Sequence, residues 1–430
     1  MTAVRTAPAA GGSVWVGMLE FDQDVPVTPV SGPVQARHGR ARILVRQHRA
    51  PLGFVTVPAE PAATLADRAR AAARIALGGA LRQHAEWDQE AGQGPEQAGW
   101  AAQVACPARQ RPAGAGISIV ICSRDRAQSL ARSVRAVQQV AYQPLEILVV
   151  DNAPATDQTR QAVAGLAAAD PRVRYTCEPA PGLSRARNHG LAQAAHDIVA
   201  FTDDDVLADP GWPAAVAAGF AADPQTVCVT GPVPAGALDT SAERYFESRY
   251  TWGTAFAPRR FDLTRHRDRS RLYPFSAGLF GTGANLAVRR AAVLDAGGFD
   301  PLLGAGSPAR GGEDLDIFVR LILAGGRLSY LPSALVWHRH RAETGELSEQ
   351  IHSYGFGLGA YLVKHLLDRT LPAGMLAHGL PKAASVAKTM RQATQDSQLH
   401  GDGRRLAVRE VSGVLAGAAA YARARRAARR

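Results

Sequence analysis

The sequence lacks any apolar run long enough to cross a bilayer: no window approaches the roughly 18–20 residues a span requires. The best late stretch, VSGVLAGAAAYA at 411–422, is too short. A secretory leader is not expected either, because Gly, Ser and Pro interrupt the apolar residues of MTAVRTAPAAGGSVWVGML. Cysteine is scarce. Cys106, Cys122, Cys177 and Cys228 lie far apart with no C-x-x-C and no Cys/His ligand spacing. They are expected as small buried hydrophobes in a reducing compartment. No internal repeat is present, and no G-x-G-x-x-G follows the first apolar strand, which removes the main support for a dinucleotide-dependent dehydrogenase. Aromatic residues are nearly absent from the arginine-rich end, Tyr421 excepted, so base stacking is unsupported and nucleic acid is not expected as a partner. The expected location is cytoplasmic, with peripheral membrane contact at the inner face left open.

What is present suits a globular chain of two or three domains: 430 residues, 46% of them hydrophobic. The net charge is +11, but from Gly403 onward eight arginines against Glu410 carry +7 of it. The basicity therefore describes the tail more than the body, and the tail could meet anionic lipid or only solvent. Short β-like runs (SVWVGML, ARILVRQ, LGFVTV) and an Ala/Leu/Arg helix at 63–81 suggest a small α+β appendage over 1–88. Residues 89–115, rich in Gly, Pro, Gln and Ala, read as a linker in which Trp100 and Val104 hint at docking. Residues 346–430 read as a helical region with the basic tail.

Between them, over 116–345, strand and helix patterns alternate. ISIVIC is a continuous apolar run that suits a strand covered on both faces, and Leu130, Val134 and Val137 then recur at helical spacing. The strands EILVVD (146–151), VRYTC (173–177) and DIVAFT (197–202) follow, with helices at 158–168 and after Gly182. Repeated βαβ units imply an α/β fold with a parallel sheet, whose ligands sit beyond the carboxyl ends of the strands. The residues at those ends are Ser123-Arg124-Asp125, Asp151 and Asp203 to Asp205.

Three consecutive carboxylates repel one another, so the turn AFTDDDV is either fully solvated or built around a cation. A hard divalent ion such as Mn2+ or Mg2+ prefers oxygen ligands, and Asp203 and Asp205 can both address it while it neutralises a diphosphate. Asp151 closes an apolar strand, where a carboxylate can take ribose hydroxyls or form a turn with Asn152. GLSRARNHGL (182–191) sets Arg185, Arg187 and Asn188 near a helix start, where anions or a carboxylate such as Asp203 are favoured. GTGAN (281–285) is a weak phosphate cradle. In RGGEDLDIFVRLILAGG (310–326), Glu313 and Asp314 fall in the first turn of an amphipathic helix, and Asp316 can pair with Arg320. VWHRHR offers His338 and His340 on one strand-like face, where a neutral imidazole suits a metal shell. Tyr245, Trp252, Tyr273 and Phe275 line either an acceptor groove or the core.

Read in order, ISIVICSRDR, EILVVDNAP, GLSRARNHGL, IVAFTDDDV, GTGANLAVRR with GGFDP, GGEDLDIFVRL and VWHRH resemble glycosyltransferase family 2 over roughly 116–345. The resemblance implies a GT-A fold, a Rossmann-like mixed sheet that binds a nucleoside-diphosphate sugar. It further implies inverting, divalent-metal-dependent sugar transfer to an acceptor hydroxyl on a glycan, a lipid-linked molecule or a small molecule. By position it makes Asp314 the general base and Asp203, Asp205 and His338 the metal ligands. Asp125, Asp151, Arg187, Asp203 and Asp204 become the nucleotide-sugar contacts. Which acids of the triplet hold metal stays open. Two other readings compete: a nucleotidyltransferase, which needs a Gly-rich, Lys/Arg-bearing signature that ICSRDRAQS lacks, and a non-catalytic GT-A-like module recruited through its basic tail.

Overall fold

Consecutive buried residues in the N-terminal strands require cover on both faces, and the computed structural model supplies it. It describes residues 12–92, 98–106, 114–250, 252–371 and 402–430. The first sheet comprises β1 (Ser13–Glu20), β2 (Thr28–Pro29), β3 (His38–Gln47) and β4 (Ala50–Pro58), in the order β2-β1-β3-β4. Ala41, Ile43 and Val45 point to one face and pack on Leu65, Ala69 and Ala73 of α1 (Leu65–Ala76). Leu44 points to the other, where it meets Leu238, Leu335 and Trp337 of the main body. The helix expected over 63–81 is broken at Leu77: α2 (Gly78–Ala91) starts afresh at Gly78-Gly79, residues that weaken a helix interior. Within the expected linker, α3 (Trp100–Ala105) is ordered, with Val104 in the main core and the Arg260 guanidinium 4.6 Å from the Trp100 ring centre. The other parts of that linker, 93–97 and 107–113, lie outside the described residues, as do residues 1–11 of the expected appendage.

The main body, which holds an eight-stranded sheet and a separate two-stranded one, begins with β5 (Ile117–Ser123), α4 (Ala127–Gln138), β6 (Leu145–Asn152), α5 (Gln158–Ala169), β7 (Val173–Glu178), α6 (Leu183–Gln193) and β8 (Ile198–Asp203). It continues with β9 (Val206–Ala208), α7 (Trp212–Ala221), β10 (Thr226–Thr230), α8 (Ser241–Arg249), β11 (Arg259–Phe261) and β12 (Asn285–Arg289). Last come α9 (Arg290–Asp295), α10 (Glu313–Leu323), β13 (Arg327–Tyr330) and β14 (Val336–His338). Eight strands run β11-β13-β10-β12-β8-β5-β6-β7. Ile117, Ile119 and Ile121 face one core with Leu130, Val134 and Val137 of α4, while Val120 faces the other with Leu191 of α6. That two-sided cover is why β5 reads as an unbroken apolar run. The sheet is mixed, as the family resemblance implied: β12 lies antiparallel between β8 and β10, where the βαβ pattern alone reads as parallel. It follows the irregular stretch 262–284 rather than a crossover helix, so nothing forces it parallel.

The C-terminal helices α11 (Thr344–Leu367) and α12 (Asp402–Ala428) pack backbone to backbone. Gly355 and Gly359 of α11 lie against Glu410 and Val414, and Gly413 and Gly417 of α12 lie against His352 and Phe356. A Cβ on Gly359 would stand 1.9 Å from the Val414 carbonyl oxygen, and one on Gly417 would stand 1.9 Å from that of Phe356. Small residues four apart on both helices thus set the close approach. Tail charges are engaged too: Arg425 pairs with Asp368 at 2.5 Å, Arg409 pairs with Glu349, and Tyr421 donates to Asp300 at 2.8 Å. Residues 372–401 of the expected helical region lie outside the described residues. Among the described residues no helix is long and apolar enough to cross a membrane. Gly417→Val should separate the pair at a cost of about 1–3 kcal/mol, read as a lower Tm and faster tryptic cleavage at the tail arginines. Ala419→Leu, on the exposed face, should change neither.

Candidate active site

Strand register collects the acids. Cys122 of β5 lies beside Asp203 of β8, and Ser123 lies beside Asp151 of β6, so the carboxylates line the carboxyl edge of the parallel strands. Within the triplet the three side chains diverge. Asp204, expected among the donor contacts, is turned inward and 4% exposed. The Ser123 hydroxyl donates to it at 2.6 Å and Arg126 also binds it. Burial outweighs both partners and pushes the Asp204 acid up to about 6. Arg126 also donates to Asp205 at 2.9 Å, so Ser123, Arg126 and Asp204 together hold the turn in shape.

The Asp203 side chain is 37% exposed while that of Asp205 is mostly buried, and His338 joins them because β14 pairs antiparallel with β9, setting His338 opposite Val206. Its Nε2 is 3.2 Å from Asp205 Oδ1. One ligand atom from each of Asp203, Asp205 and His338 lies within 4.8 Å of the other two. Two carboxylates and an imidazole fit a divalent ion such as Mn2+ or Mg2+, and an outer layer completes the arrangement. His338 Nδ1 is 3.1 Å from His340 Nδ1, and His340 Nε2 is 3.1 Å from Glu247 Oε2. If His338 carries its proton on Nδ1 and His340 on Nε2, both contacts are satisfied and His338 Nε2 is left free to ligate. Glu247 accepts in turn from Arg42 at 2.6 Å, which connects the site to β3. His340, read from sequence as sharing a face with His338, therefore stands behind it. The cause is that β14 ends at His338, so the strand alternation stops there.

The first turn of α10 separates two adjacent acids. Asp314 accepts N–H bonds from Gly283 and Leu315, both at 2.8 Å, and stays half-buried at the cluster. Glu313 turns inward to Arg187 at 2.8 Å. Gly312, at φ 85°, makes this possible: the left-handed residue opens the helix, and a Cβ there would stand 2.5 Å from the Gly357 carbonyl oxygen. Arg187, expected as a donor contact, is 2% exposed and already occupied: it donates to Glu313 and to the Gly283 carbonyl, and lies 3.7 Å from Asp203. Burial and the charge of Asp314 push the Glu313 acid above the usual carboxylate range against the pull of Arg187. The loop GTGAN spends Gly283 on these protein contacts. Asp316 pairs with Arg320 at 2.7 Å as the spacing predicted, but in the interior, where His365, Arg320 and Lys364 overcome burial and hold its acid down to about 2.

At the other edge, Tyr175 donates to Asp151 Oδ2 at 3.0 Å, while Oδ1 is buried with no hydrogen-bond partner among the described residues. An orphaned carboxylate oxygen at a strand end is what a ligand hydroxyl or base would satisfy. Asp125 sits beside it at φ 53°, its side chain bound by the Ala155 N–H at 2.8 Å. Tyr273 and Phe275 belong to the core, whereas Trp252 packs with Phe246, Tyr250 and Tyr354 in an aromatic group touching His340.

The sequence model described as Glycosyl transferase family 2 matches residues 118–293, the segment that carries the strand-end acids. This segment belongs to glycosyltransferase family 2. The matched segment lies in a large mixed sheet and is followed by a helical C-terminal region, the mixed α/β architecture that the resemblance implied. Over 265 residues the chain is 31% identical to a pre-mycofactocin glycosyltransferase of Mycobacterium tuberculosis, covering 61% of this chain and half the length of that relative. It is 25% identical over 229 residues to a glucosyl-dolichyl phosphate glucuronosyltransferase of Haloferax volcanii, covering 52% of this chain and 69% of the relative. Among solved structures it is similar to a mannosyltransferase of Pyrobaculum calidifontis in complex with GDP-Man and Mn2+, at 19% identity and a TM-score of 0.45, covering 71% of this chain and 86% of that one. Asp314 and His338 lie beyond the matched segment, and the fold brings both to it.

Proposed function

We propose that the chain transfers a sugar from a nucleoside-diphosphate sugar to an acceptor hydroxyl in a single inverting displacement. The observation that carries the reading is the meeting of Asp203, Asp205 and His338 beyond the carboxyl edge of the sheet, with Asp314 held on the N–H of Gly283, whose carbonyl binds the Arg187 that lies beside Asp203. Asp314 takes the proton of the acceptor hydroxyl as its oxygen bonds to the anomeric carbon, and the bond from that carbon to the diphosphate breaks on the opposite face. Asp203, Asp205 and His338 hold the divalent ion, which, when bound, takes up charge on the departing diphosphate. Asp125 and Asp151 face the nucleotide. Asp204 and Arg187 act from behind, shaping the turn and balancing the buried charge. The names of the relatives support sugar transfer.

The test is a thermal-shift panel of UDP-, GDP-, dTDP- and CDP-sugars with and without Mn2+. One donor at about 100 times its Kd should add roughly 2.7 kcal/mol of stability, only when Mn2+ is present. In Asp205→Ala the Mn2+-dependent part should fall by more than the roughly 10–100-fold expected from losing an outer-layer partner. Donor binding that ignores Mn2+ in the unaltered protein would remove the metal from the proposal.

Metal uptake should also depend on pH. Burial alone would lower the His338 pKa, but Asp205 and Asp203 raise it above its ordinary 6.5. The metal-free imidazole is then protonated below that raised value, and binding must release the proton. Mn2+-dependent donor affinity should therefore fall about tenfold per pH unit below it and level off above. His338→Asn should weaken binding and flatten this part of the profile. A slope unchanged by the substitution would assign it elsewhere.

A further inference from the structure

Distinct from the strand-end cluster, four side chains with metal-ligand chemistry meet. His48 lies in the β3–β4 turn, His84 and Asp88 are one helical turn apart on α2, and Cys106 directly follows α3. One ligand atom from each lies within 4.8 Å of the others. His48 Nδ1 is 3.5 Å from Asp88 Oδ2 and 3.7 Å from Cys106 Sγ. Tetrahedral zinc, with bonds of about 2.0–2.3 Å, separates its ligand atoms by roughly 3.3–3.7 Å, so these contacts already have the spacing of polyhedron edges. A second observation points the same way: His84 is 1% exposed, and its Nε2 is buried with no hydrogen-bond partner among the described residues. The His84 ring centre is 5.5 Å from that of His48, which puts the unpartnered nitrogen's ring inside the group. Finally, His48 Nε2 is 3.1 Å from Asp22 Oδ2, the outer carboxylate that orients a ligating imidazole.

We infer that His48, His84, Asp88 and Cys106 hold a structural zinc ion that fastens the N-terminal sheet to the segment leading into β5. A thiolate and two imidazoles select zinc over Mn2+ or Mg2+, which belong to the oxygen-rich cluster at the strand ends. Four protein ligands close the shell, so the site is structural and leaves no position for substrate. Its ligands come from a hairpin turn and two helices, so metal binding and docking of these elements are one equilibrium.

The test uses the full chain, zinc analysis by mass spectrometry and Co2+ as a spectroscopic stand-in. Asp205→Ala, which disables the strand-end cluster, should still retain one equivalent of zinc. Co2+ should give a sulfur-to-metal charge-transfer band in the unaltered protein and in Asp205→Ala, and none in Cys106→Ser. Asp22→Asn should weaken zinc binding about 10–100-fold. Because Cys106 is interior, a second readout avoids substitution: in the unaltered protein its thiol should resist alkylation until a chelator is added. A folded protein that keeps no zinc and shows no thiolate band overturns the inference. So does a band that survives Cys106→Ser, or alkylation of Cys106 that is indifferent to chelator.

Discussion

Asp314→Asn should lower turnover by about 10²–10⁴-fold, the range for loss of a positioned general base, while leaving Mn2+-dependent donor affinity nearly unchanged. The asparagine keeps the size of the side chain and can still accept from the Gly283 or Leu315 N–H that orients Asp314, so the fold should survive. The informative comparison is with its neighbour. Glu313→Gln alters a side chain that points to Arg187 in the interior, and should reduce stability more than the chemical step. Steady-state kinetics with donor saturating, paired with thermal melts, separates the two. Should Glu313→Gln abolish turnover in a folded protein while Asp314→Asn does not, the base is Glu313.

That distinction between adjacent acids marks where sequence reading stops. The strands β5, β6 and β8 were legible because each is an apolar run buried on both faces, and the acids that end them follow from chain direction in a parallel sheet. The antiparallel seat of β12 was not, since the alternation of its side chains says which face is buried and not which way the neighbour runs. Inside the site, ordering by motif placed the residues but not their orientation. Arg187 and Asp204 stand within motifs of the right kind, yet their partners Glu313 and Ser123 lie 126 and 81 residues away. The row His338, His340, Glu247 and Arg42 draws on three separate segments. Cys106 shows the same limit: spacing rules detect ligands that share a loop, whereas its neighbours His48 and His84 come from other elements.

The inward turn of Arg187 leads to the second large effect. Arg187→Met keeps the apolar stem of the side chain and removes the guanidinium that faces Glu313 and Asp203 in the interior. Removing one member of a buried pair typically costs about 3–5 kcal/mol because a charge is left uncompensated, so Tm should fall by roughly ten degrees for a domain of this size. The pH dependence follows from the direction of the Glu313 shift. Burial and Asp314 already hold its acid above the ordinary range, with Arg187 opposing, and without Arg187 the shift grows. A carboxylic acid whose folded pKa exceeds its unfolded value of about 4.3 binds protons in the folded state over that window. Stability is therefore lost as pH rises through it. The deficit of Arg187→Met should accordingly be small near pH 5 and grow only above about 7, where Glu313 ionises in the unaltered protein. In the double variant with Glu313→Gln most of it should disappear, since both charges have then been withdrawn from the interior. A deficit that is the same at both pH values and adds independently with Glu313→Gln would mean that Arg187 acts through packing against Phe201 and Phe299 rather than by charge.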